Sequence, residues 1–571
     1  MSIILTAAQM RAVEQAAIES GATSGLQLME RAGQAAVEAI LTKLAARGGG
    51  TPPLPGHALV SRAPVSRALI FCGPGNNGGD GFVIARLLHD LGWQIDLHFQ
   101  GEAQRLPPDA RANHDRWLDL GPVLPFGGFD PWAQNYDLVI DALLGIGLSR
   151  PVTGPMAAVL DQISATVSIN RGLSVAIDLP SGLCADSGRL MSQAPEVDLT
   201  VTFGFFKSGH FLADGPERCG QLICCDIGLS RELPFDLFRR QEQGARGMRP
   251  HYSALVQLAD GRTLQPGFSA RKSILDKGWG SYGEHKFGHG HALILGGPAG
   301  RSGAARLSAR AALRIGAGLV TLGCPENALA ENAARLDAIM LREITDDTAL
   351  SAMLQDARIN ALCLGPALGT GAREAGLLRS ALAAKRPTVL DADALSLLAQ
   401  QPELFAALHN QCVLTPHGGE FARLFPDIAA RLTAPPAQGP AFSRIDAAKE
   451  AASRAGCTVV LKGMDTVIAA PDGKASINAA AYGREAPWLA TAGSGDVLAG
   501  IITGLLARGV STSESAVCGS WLHVEAARAF GPGLIAEDLP EALPAVLRQI
   551  NRWHEVTPDF GPPPAGLFAD K

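Results

Sequence analysis

Residues Gly73–Gly81, GPGNNGGDG, place five glycines and a proline between the apolar run Ala68–Phe71 and the helical pattern Gly81–Gly92. In that pattern Val83, Ile84, Leu87, Leu88 and Leu91 make one apolar stripe, and Gly92 stops it. The glycines therefore stand at the carboxyl end of a strand and the amino end of a helix. Unpaired N–H groups and the helix dipole favour an anion at such a junction, and residues without Cβ let phosphate approach the backbone. Gly73, Gly75 and Gly78 also satisfy the GxGxxG spacing of dinucleotide-binding turns, which alone is a weak signal. A tight turn without a ligand explains two or three of the glycines but not Asn76, Asn77 and Asp80 among them.

Two more strands point to the same place. LVIDALLGIG and VAIDLPSG each end on an aspartate, Asp141 and Asp178, followed by small or turn residues. Ligands of open α/β sheets sit outside the strand carboxyl ends, so both acids are expected beside the glycine loop. Capping of the turns that follow is the ordinary alternative role for each.

The same alternation of short apolar runs and Ala/Leu-rich helical patterns continues along the chain, so the fold class is α/β with parallel sheets. Strands are expected at Ala68–Phe71, Ile95–Phe99, Leu138–Ile140, Val175–Ile177, Leu199–Phe203 and Leu222–Cys225. A second series falls near Ala292–Leu295, Leu319–Leu322, Ala361–Leu364, Thr388–Leu390, Val413–Leu414, Val459–Leu461 and Val467–Ala469. With 571 residues the chain is too long for one core, and periodicity fails between Arg239 and His289. The expected domains are 1–240 and 286–555, joined by a linker at 241–285. Gly48–Pro64 and Thr433–Pro440 read as surface loops.

Composition narrows the function classes. Hydrophobic residues make up 47% and charged residues 18%, and 49 Lys and Arg against 55 Asp and Glu leave a net charge of −6. No long basic run exists, so neither nucleic acid nor an anionic membrane is an expected partner. Ten cysteines lack CxxC pairs, and Cys224–Cys225 suits a buried strand, which points to a reducing, cytoplasmic location. The start lacks the pattern of a signal peptide and reads as an amphipathic helix around Met10, Val13 and Ala17. No apolar stretch approaches the ~20 residues that span a bilayer.

The second half has its own site signals. ATAGSGDVLAGIITGLLARG sets Gly493-Ser494-Gly495-Asp496 at the start of a helix ending near Gly509. Such a turn offers N–H groups to a transferring phosphoryl, with the aspartate placed to take a proton from an attacking hydroxyl. An ordinary first-turn acid is the competing explanation. GPALGTG, VLDADAL, LTPHGGEFARL and VVLKGMDTVI each put polar residues at a strand's carboxyl end, so His417 and Lys462 are expected in one cleft with Asp496.

Residues 1–240, through GPGNNGGDG, DALLGIGL and AIDLPSGLCADSG, resemble the epimerase domain of the NAD(P)H-hydrate repair enzymes. HALILGGPAGRSGAARLSARAALRIGAGLVT and the second-half motifs, from about Lys286 to Leu547, resemble the ADP-dependent NAD(P)H-hydrate dehydratase domain, itself similar to ribokinase-type kinases. The resemblance implies a Rossmann-like three-layer sandwich followed by a ribokinase-like domain. It implies that Asn76, Asn77, Gly78, Gly79 and Asp80, with Gly145, Ile146, Gly147, Leu148, Ser149, Arg150 and Pro151, hold the diphosphate and ribose of hydrated NADH or NADPH. It further implies that Asn77, Asp141 and Ser181 coordinate potassium and that Asp178 touches the reacting ring. In the second domain it implies that Ala304, Gly369, His417 and Asp496 contact the hydrate, while Lys462, Gly463, Met464, Asp465, Thr466 and Gly495 contact the adenine nucleotide, with magnesium on the phosphates. Asp178 and Asp496 are the expected catalytic residues.

The implied activity is repair: R and S hydrates are interconverted, and the S form is dehydrated at the expense of ADP, leaving AMP and phosphate. A homo-oligomer is expected. The alternative is a small-molecule kinase fused to a non-catalytic dinucleotide-binding module. The sequence departs from the dehydratase pattern at Pro298, where serine is usual, at Ser494, where threonine is common, and in INAAAYGREAPWLAT, which lacks the usual Asn-Pro-Gly turn.

Overall fold

The computed structural model describes residues 2–47, 66–126, 135–230, 256–259, 285–437 and 439–556. Contacts divide the chain into two compact units, one made of Ile3–Leu255 with Ala434–Ser443 and the other of Met1–Ser2, Val256–Thr433 and Arg444–Lys571. Among the described residues no helix is long and apolar enough to cross a membrane.

The first unit contains β1 (Ser2–Leu5), β2 (Arg67–Cys72), β3 (Gln94–Phe99), β4 (Leu138–Ala142), β5 (Leu173–Ile177), β6 (Leu199–Phe203), β7 (Phe206–Lys207) and β8 (Gln221–Cys225). Its main sheet is parallel throughout, in the order β3-β2-β4-β5-β6-β8. The middle strands are buried along their whole length, which is why they read as unbroken apolar runs. Side chains alternate between two cores. Ala68, Ile70 and Cys72 face Met29, Phe82 and Trp117 on the helices Gly25–Arg47, Asn76–Asp90 and Pro108–Leu118. Leu69 and Phe71 face Val159, Leu160 and Ile163 on the helix Pro155–Ile169. These are the three layers of a doubly wound sandwich. Because β3 lies on one side of β2 and β4 on the other, the chain changes winding direction between β2 and β4. The loops leaving those two strands open a crevice there.

The second unit adds β9 (Val256–Leu258), β10 (His291–Leu295), β11 (Leu319–Cys324), β12 (Met340–Glu343), β13 (Ile359–Leu364), β14 (Thr388–Leu390), β15 (Cys412–Leu414), β16 (Thr458–Leu461), β17 (Asp465–Ala469) and β18 (Ala475–Ala479). The order β12-β11-β10-β13-β14-β15-β16 is parallel, and β16-β17-β18 is antiparallel. The helices Gly303–Arg314 and Ser494–Ala507 cross at very close range. A Cβ on Gly500 would lie 2.2 Å from the Ser308 carbonyl oxygen, and one on Gly504 would lie 2.6 Å from that of Ala312. Ser308 Oγ donates to the Asp496 carbonyl at 2.7 Å, so this crossing sets the position of Asp496.

Several expectations change. The expected linker contains β9, which pairs in parallel with β18, so residues 256–259 are part of the second unit, while 241–255 and 260–284 lie outside the described residues. Ala434–Ser443, most of it read as a loop of the second half, groups with the first unit. The expected loop Gly48–Pro64 lies outside the described residues. The amphipathic helix expected around Met10, Val13 and Ala17 is present as Ala7–Glu19, with those three residues buried and a Thr6 cap that closes a capping box with Gln9; what was not expected is the strand β1 before it. Cys224 and Cys225 are half-buried on the edge strand β8.

Candidate active sites

The helix after β2 starts at Asn76, five residues before the expected Gly81, so the first site's polar residues lie in its opening turns. The glycines before and within it serve protein packing more than ligand access. A Cβ on Gly73 would lie 1.7 Å from the Leu143 carbonyl oxygen, and one on Gly78 would lie 2.0 Å from that of Gly73. Gly79 and Gly81 meet the side chains of Met29 and Cys72; Gly75, at the N-cap, faces open space. Close phosphate approach is therefore available at Gly75 and the exposed Asn76, while the other glycines let β2, β4 and the helix pack together.

Asp141, next to last in β4, is fully buried, with Oδ1 accepting from the Ser181 hydroxyl at 2.6 Å and Oδ2 accepting from the Ser181 backbone N–H at 2.7 Å. Burial raises its pKa against those bonds, so the ionised form lacks a counter-charge there. Asn77 buries both side-chain polar atoms without a hydrogen-bond partner. A Cβ placed on Gly145 would lie 3.1 Å from Asn77 Oδ1 and 3.2 Å from Asp178 Oδ2, so Gly145, Asn77 and Asp178 share one pocket wall. An orphaned amide oxygen on the helix after β2 and an undercompensated carboxylate on β4, the strand paired with β2, are oxygen donors of the kind that fits an alkali cation. Ser181 differs in that its hydroxyl already serves Asp141 and the Leu144 N–H.

Asp178 follows β5 with φ 67, a left-handed backbone uncommon for a residue with Cβ. Its Oδ1 accepts from Thr202 Oγ1 at 2.8 Å and from Lys207 Nζ at 2.7 Å. Burial raises its pKa, but the Lys207 charge and these bonds outweigh that and hold the carboxyl below its ordinary value. Asp80 shows the opposite balance, since burial, then Asp178 and Glu14, push its carboxyl well above the usual range. Glu14, on the helix Ala7–Glu19, is raised by burial against the pull of Lys207. Of the loop Gly145–Pro151, Ile146 contacts the site, donating its N–H to Asp178 Oδ2 at 3.4 Å and accepting from Arg11 at 3.3 Å; Gly147, Ser149 and Arg150 are exposed. The sequence reading missed Lys207, Glu14 and His210. A lysine inside the apolar stretch FGFFKSGHFL was the available signal for the first of them.

In the second unit, Asp496 lies in the first turn of its helix behind Gly493, whose φ is 89. Lys462, at the end of β16, donates to Asp391 Oδ1 at 2.8 Å and lies 3.9 Å from Glu420 Oε2. Thr415 donates to the same Asp391 oxygen at 2.8 Å. Burial, then the charge of Asp391, push the Asp496 pKa up to about 7 in spite of Lys462, with Asp393 and Glu420 adding to the rise. Burial opposes the Lys462 charge, but its carboxylate neighbours more than compensate and raise its pKa. Ser308 links two expected hydrate contacts, donating to the carbonyls of Ala304 and Asp496. The Gly369 N–H donates to Asp393 at 2.8 Å, and His417 Nδ1 accepts from the Gly419 N–H at 3.0 Å. Asp391, Asp393 and Glu420 lie in the quoted motifs but were not singled out from sequence.

A cavity of about 810 Å³ opens beside this cluster, walled by His417, Lys462, Gly463, Met464, Thr466 and Gly495, among others. Asp465 is not part of its wall and pairs instead with Arg444 at 3.0 Å. Ala304, Gly369 and Asp496 also lie outside that wall, so His417 is the expected hydrate contact that borders it. The departing segment INAAAYGREAPWLAT contributes Ala486, Pro487 and Leu489 to the cavity.

Residues 25–209 match the family model described as YjeF-related protein N-terminus, and residues 292–544 match the one described as NAD(P)H-hydrate dehydratase. The chain is 33% identical over 570 residues to the bifunctional NAD(P)H-hydrate repair enzyme of Moorella thermoacetica, covering 96% of this chain and 97% of that protein. Its Escherichia coli counterpart is 32% identical over 485 residues, 84% of each. The NAD(P)H-hydrate epimerase of Rhodobacter capsulatus is 48% identical over 214 residues, 37% of this chain and 92% of that protein. Among solved structures, the ADP/ATP-dependent NAD(P)H-hydrate dehydratase of Bacillus subtilis, co-crystallised with ATP and Mg2+, shows 26% identity and a TM-score of 0.41, over 52% of this chain and 99% of that one.

Proposed function

The chain belongs to the bifunctional NAD(P)H-hydrate repair enzymes, and from that premise we propose which half carries each step and with which side chains. The enzyme interconverts the R and S forms of hydrated NADH and NADPH, and it dehydrates the S form at the expense of ADP. The reading of a kinase fused to a non-catalytic module gives way to this one. The observation that supports the division of labour is that each unit brings its own aspartate, the buried Asp178 or the half-buried Asp496, to a site with a lysine in it.

We assign epimerisation to the first unit. The hydroxyl sits on a carbon beside the ring nitrogen, and inverting it requires the C–O bond to break and re-form. The hydroxyl takes a proton and leaves as water while the nitrogen lone pair forms a C=N bond. Water returns to the opposite face and gives up a proton. Asp178 supplies the first proton from Oδ2 in its protonated form, and the carboxylate so formed, stabilised by Lys207, takes a proton back from the returning water, so that the carboxyl ends each turnover as it began. Asn76 and the first-turn N–H groups bind diphosphate. Potassium would be held by Asn77, Asp141 and the Ser181 region, where it offsets carboxylate and phosphate charge.

We assign dehydration to the second unit. Asp496 takes the proton of the S hydroxyl as its oxygen attacks the β-phosphorus of ADP and AMP leaves. The resulting phosphate ester then loses phosphate as its C–O bond breaks, pushed by the ring nitrogen, and loss of the neighbouring proton restores the double bond. Lys462, the adjoining Gly463, Met464 and Thr466, and the N–H of Gly495 bind the nucleotide phosphates. Magnesium would come with those phosphates, neutralising charge, the usual arrangement for an ion that keeps few protein ligands. The ten cysteines are thiols and not disulfides, which supports the proposal of a reducing, cytoplasmic setting. We also propose that the enzyme is a homo-oligomer.

The test is to supply mixed hydrate epimers, ADP and magnesium to the purified chain and follow reduced-nicotinamide absorbance. Complete recovery is expected; none would refute the reading.

A further inference from the structure

Asp178 is gripped from three directions by residues the mechanism above does not place at the substrate. Lys207 Nζ donates to Asp178 Oδ1 at 2.7 Å, to Thr202 Oγ1 at 2.7 Å and to the Phe203 carbonyl at 3.2 Å. Thr202 donates to the same Oδ1 at 2.8 Å. His210 Nδ1 accepts the Lys207 backbone N–H at 3.1 Å, which fixes the tautomer, so Nε2 donates to the Asp178 carbonyl at 2.9 Å. Lys207, Thr202 and His210 are all buried, at 1%, 0% and 0% exposure. Oδ1 is thereby saturated, and Oδ2 is left on the side of Gly145 and the Ile146 N–H.

We propose that Lys207 is the positioning residue of the epimerase site: it occupies one oxygen of Asp178, fixes the carboxylate plane, and leaves the other oxygen as the single atom that exchanges a proton with the substrate. The inference rests on the reading of Asp178 as the acid/base residue. A buried ion pair often contributes little net stability, because desolvation offsets its attraction, so fold stability alone is a weak reason to keep a lysine here. Glu14 and Asp80 also face Asp178 from two other helices, and without Lys207 the carboxylate would turn away from them and towards any remaining donor. Lys207 has a further link to the strained backbone of Asp178, since its own N–H orients His210, which holds the Asp178 carbonyl.

The test uses the full chain, where dehydration of pure S hydrate reports that the protein is intact. In Lys207→Ala, kcat for epimerisation should fall by about 10²-fold while KM changes less than about threefold, because the group acts on orientation and not on binding. Ethylammonium or propylammonium ions should restore part of that kcat saturably, which a structural lysine would not allow. Thr202→Val, nearly isosteric, should lower kcat by about tenfold by freeing half of Oδ1. Wild-type kcat in Lys207→Ala, or a loss that no amine restores, overturns the proposal. If Lys207→Ala does not fold, wild-type kcat in Thr202→Val overturns it alone. Asp178→Asn separates the two levels: if it still epimerises, the underlying reading fails. If it is inactive while Lys207→Ala is fully active, only this proposal falls.

Discussion

Asp178, buried, and Asp496, half-buried, each have a lysine in their site, yet they end in opposite protonation regimes. In the first unit Lys207 takes the reacting aspartate itself, at 2.7 Å, and holds Asp178 ionised. In the second, Lys462 takes a neighbour, Asp391, at 2.8 Å, and leaves Asp496 among Asp391, Asp393 and Glu420, where its pKa rises to about 7. The same two residue types thus give a carboxyl held towards its ionised form in one site and a group that changes protonation near neutrality in the other. What decides the outcome is which acid the lysine bonds. An ionised base suits proton return to and from water, and a raised carboxyl suits deprotonation of a weakly acidic hydroxyl.

Removing each carboxylate should break the comparison most severely. Asp496→Asn should lower ADP-dependent dehydration of S hydrate by about 10²–10⁴-fold, and Asp178→Asn should lower epimerisation by a similar factor, each leaving the other rate intact. Steady-state assays on separate epimers check this; loss of both activities in one folded variant would rule out one reaction per unit.

The next effect is on pH. A base with a pKa of about 7 is ionised only to about one part in 10² at pH 5, so dehydration should drop about 10²-fold between pH 8 and pH 5. Asp178, held below the ordinary carboxylate value, stays ionised across that range, and epimerisation should persist at pH 5. Parallel pH profiles of kcat/KM with coincident acidic limbs would erase the contrast.

A smaller shift should follow from Asp391→Asn. It removes the charge that contributes most to raising Asp496 and frees Lys462 to turn to it, so the acidic limb of dehydration should move down by about one unit. The ratio of the rate at pH 6 to that at pH 8 should rise about fivefold, whatever the loss in absolute rate. A limb that stays in place would mean that burial alone sets the Asp496 pKa. The smallest expected effect is the exchange of potassium for a bulky organic cation, which should slow epimerisation several-fold through the Asn77 and Asp141 region and spare dehydration. Equal epimerisation rates in the two salts would remove the cation from the first site.

What was legible in the sequence followed burial. The central strands of both units, Leu138–Ala142 and Leu173–Ile177 among them, are apolar along their length and were placed within a few residues. The strands that escaped are short or half-exposed, such as Met340–Glu343, or built of small residues, such as Ala475–Ala479, which carry little periodic signal. Asp141, Asp178 and Asp496 were visible because each ends a strand or opens a helix in a distinctive turn. Lys207 was not, because its partner is 29 residues away and meets it only through the sheet. The glycines of Gly73–Gly81 were visible as a group, but sequence credited them to ligand access when most of them are required where backbone packs on backbone or side chain. Asp391 and Glu420 lie inside quoted motifs, yet their effect on Asp496 is electrostatic and needs the strand order β14-β15-β16 to be known.

The central claim is that each unit performs one reaction through its own aspartate. It is tested most directly by adding ADP, magnesium and mixed hydrate epimers to Asp178→Asn, to Asp496→Asn, and to the two variants together, and following the recovery of reduced-nicotinamide absorbance. Asp178→Asn should stop after consuming the S form, leaving the R form to convert at its slow spontaneous rate. Asp496→Asn should recover almost nothing, and the mixture should reach complete recovery, since the epimers diffuse between molecules. A mixture no better than Asp178→Asn alone would contradict the account.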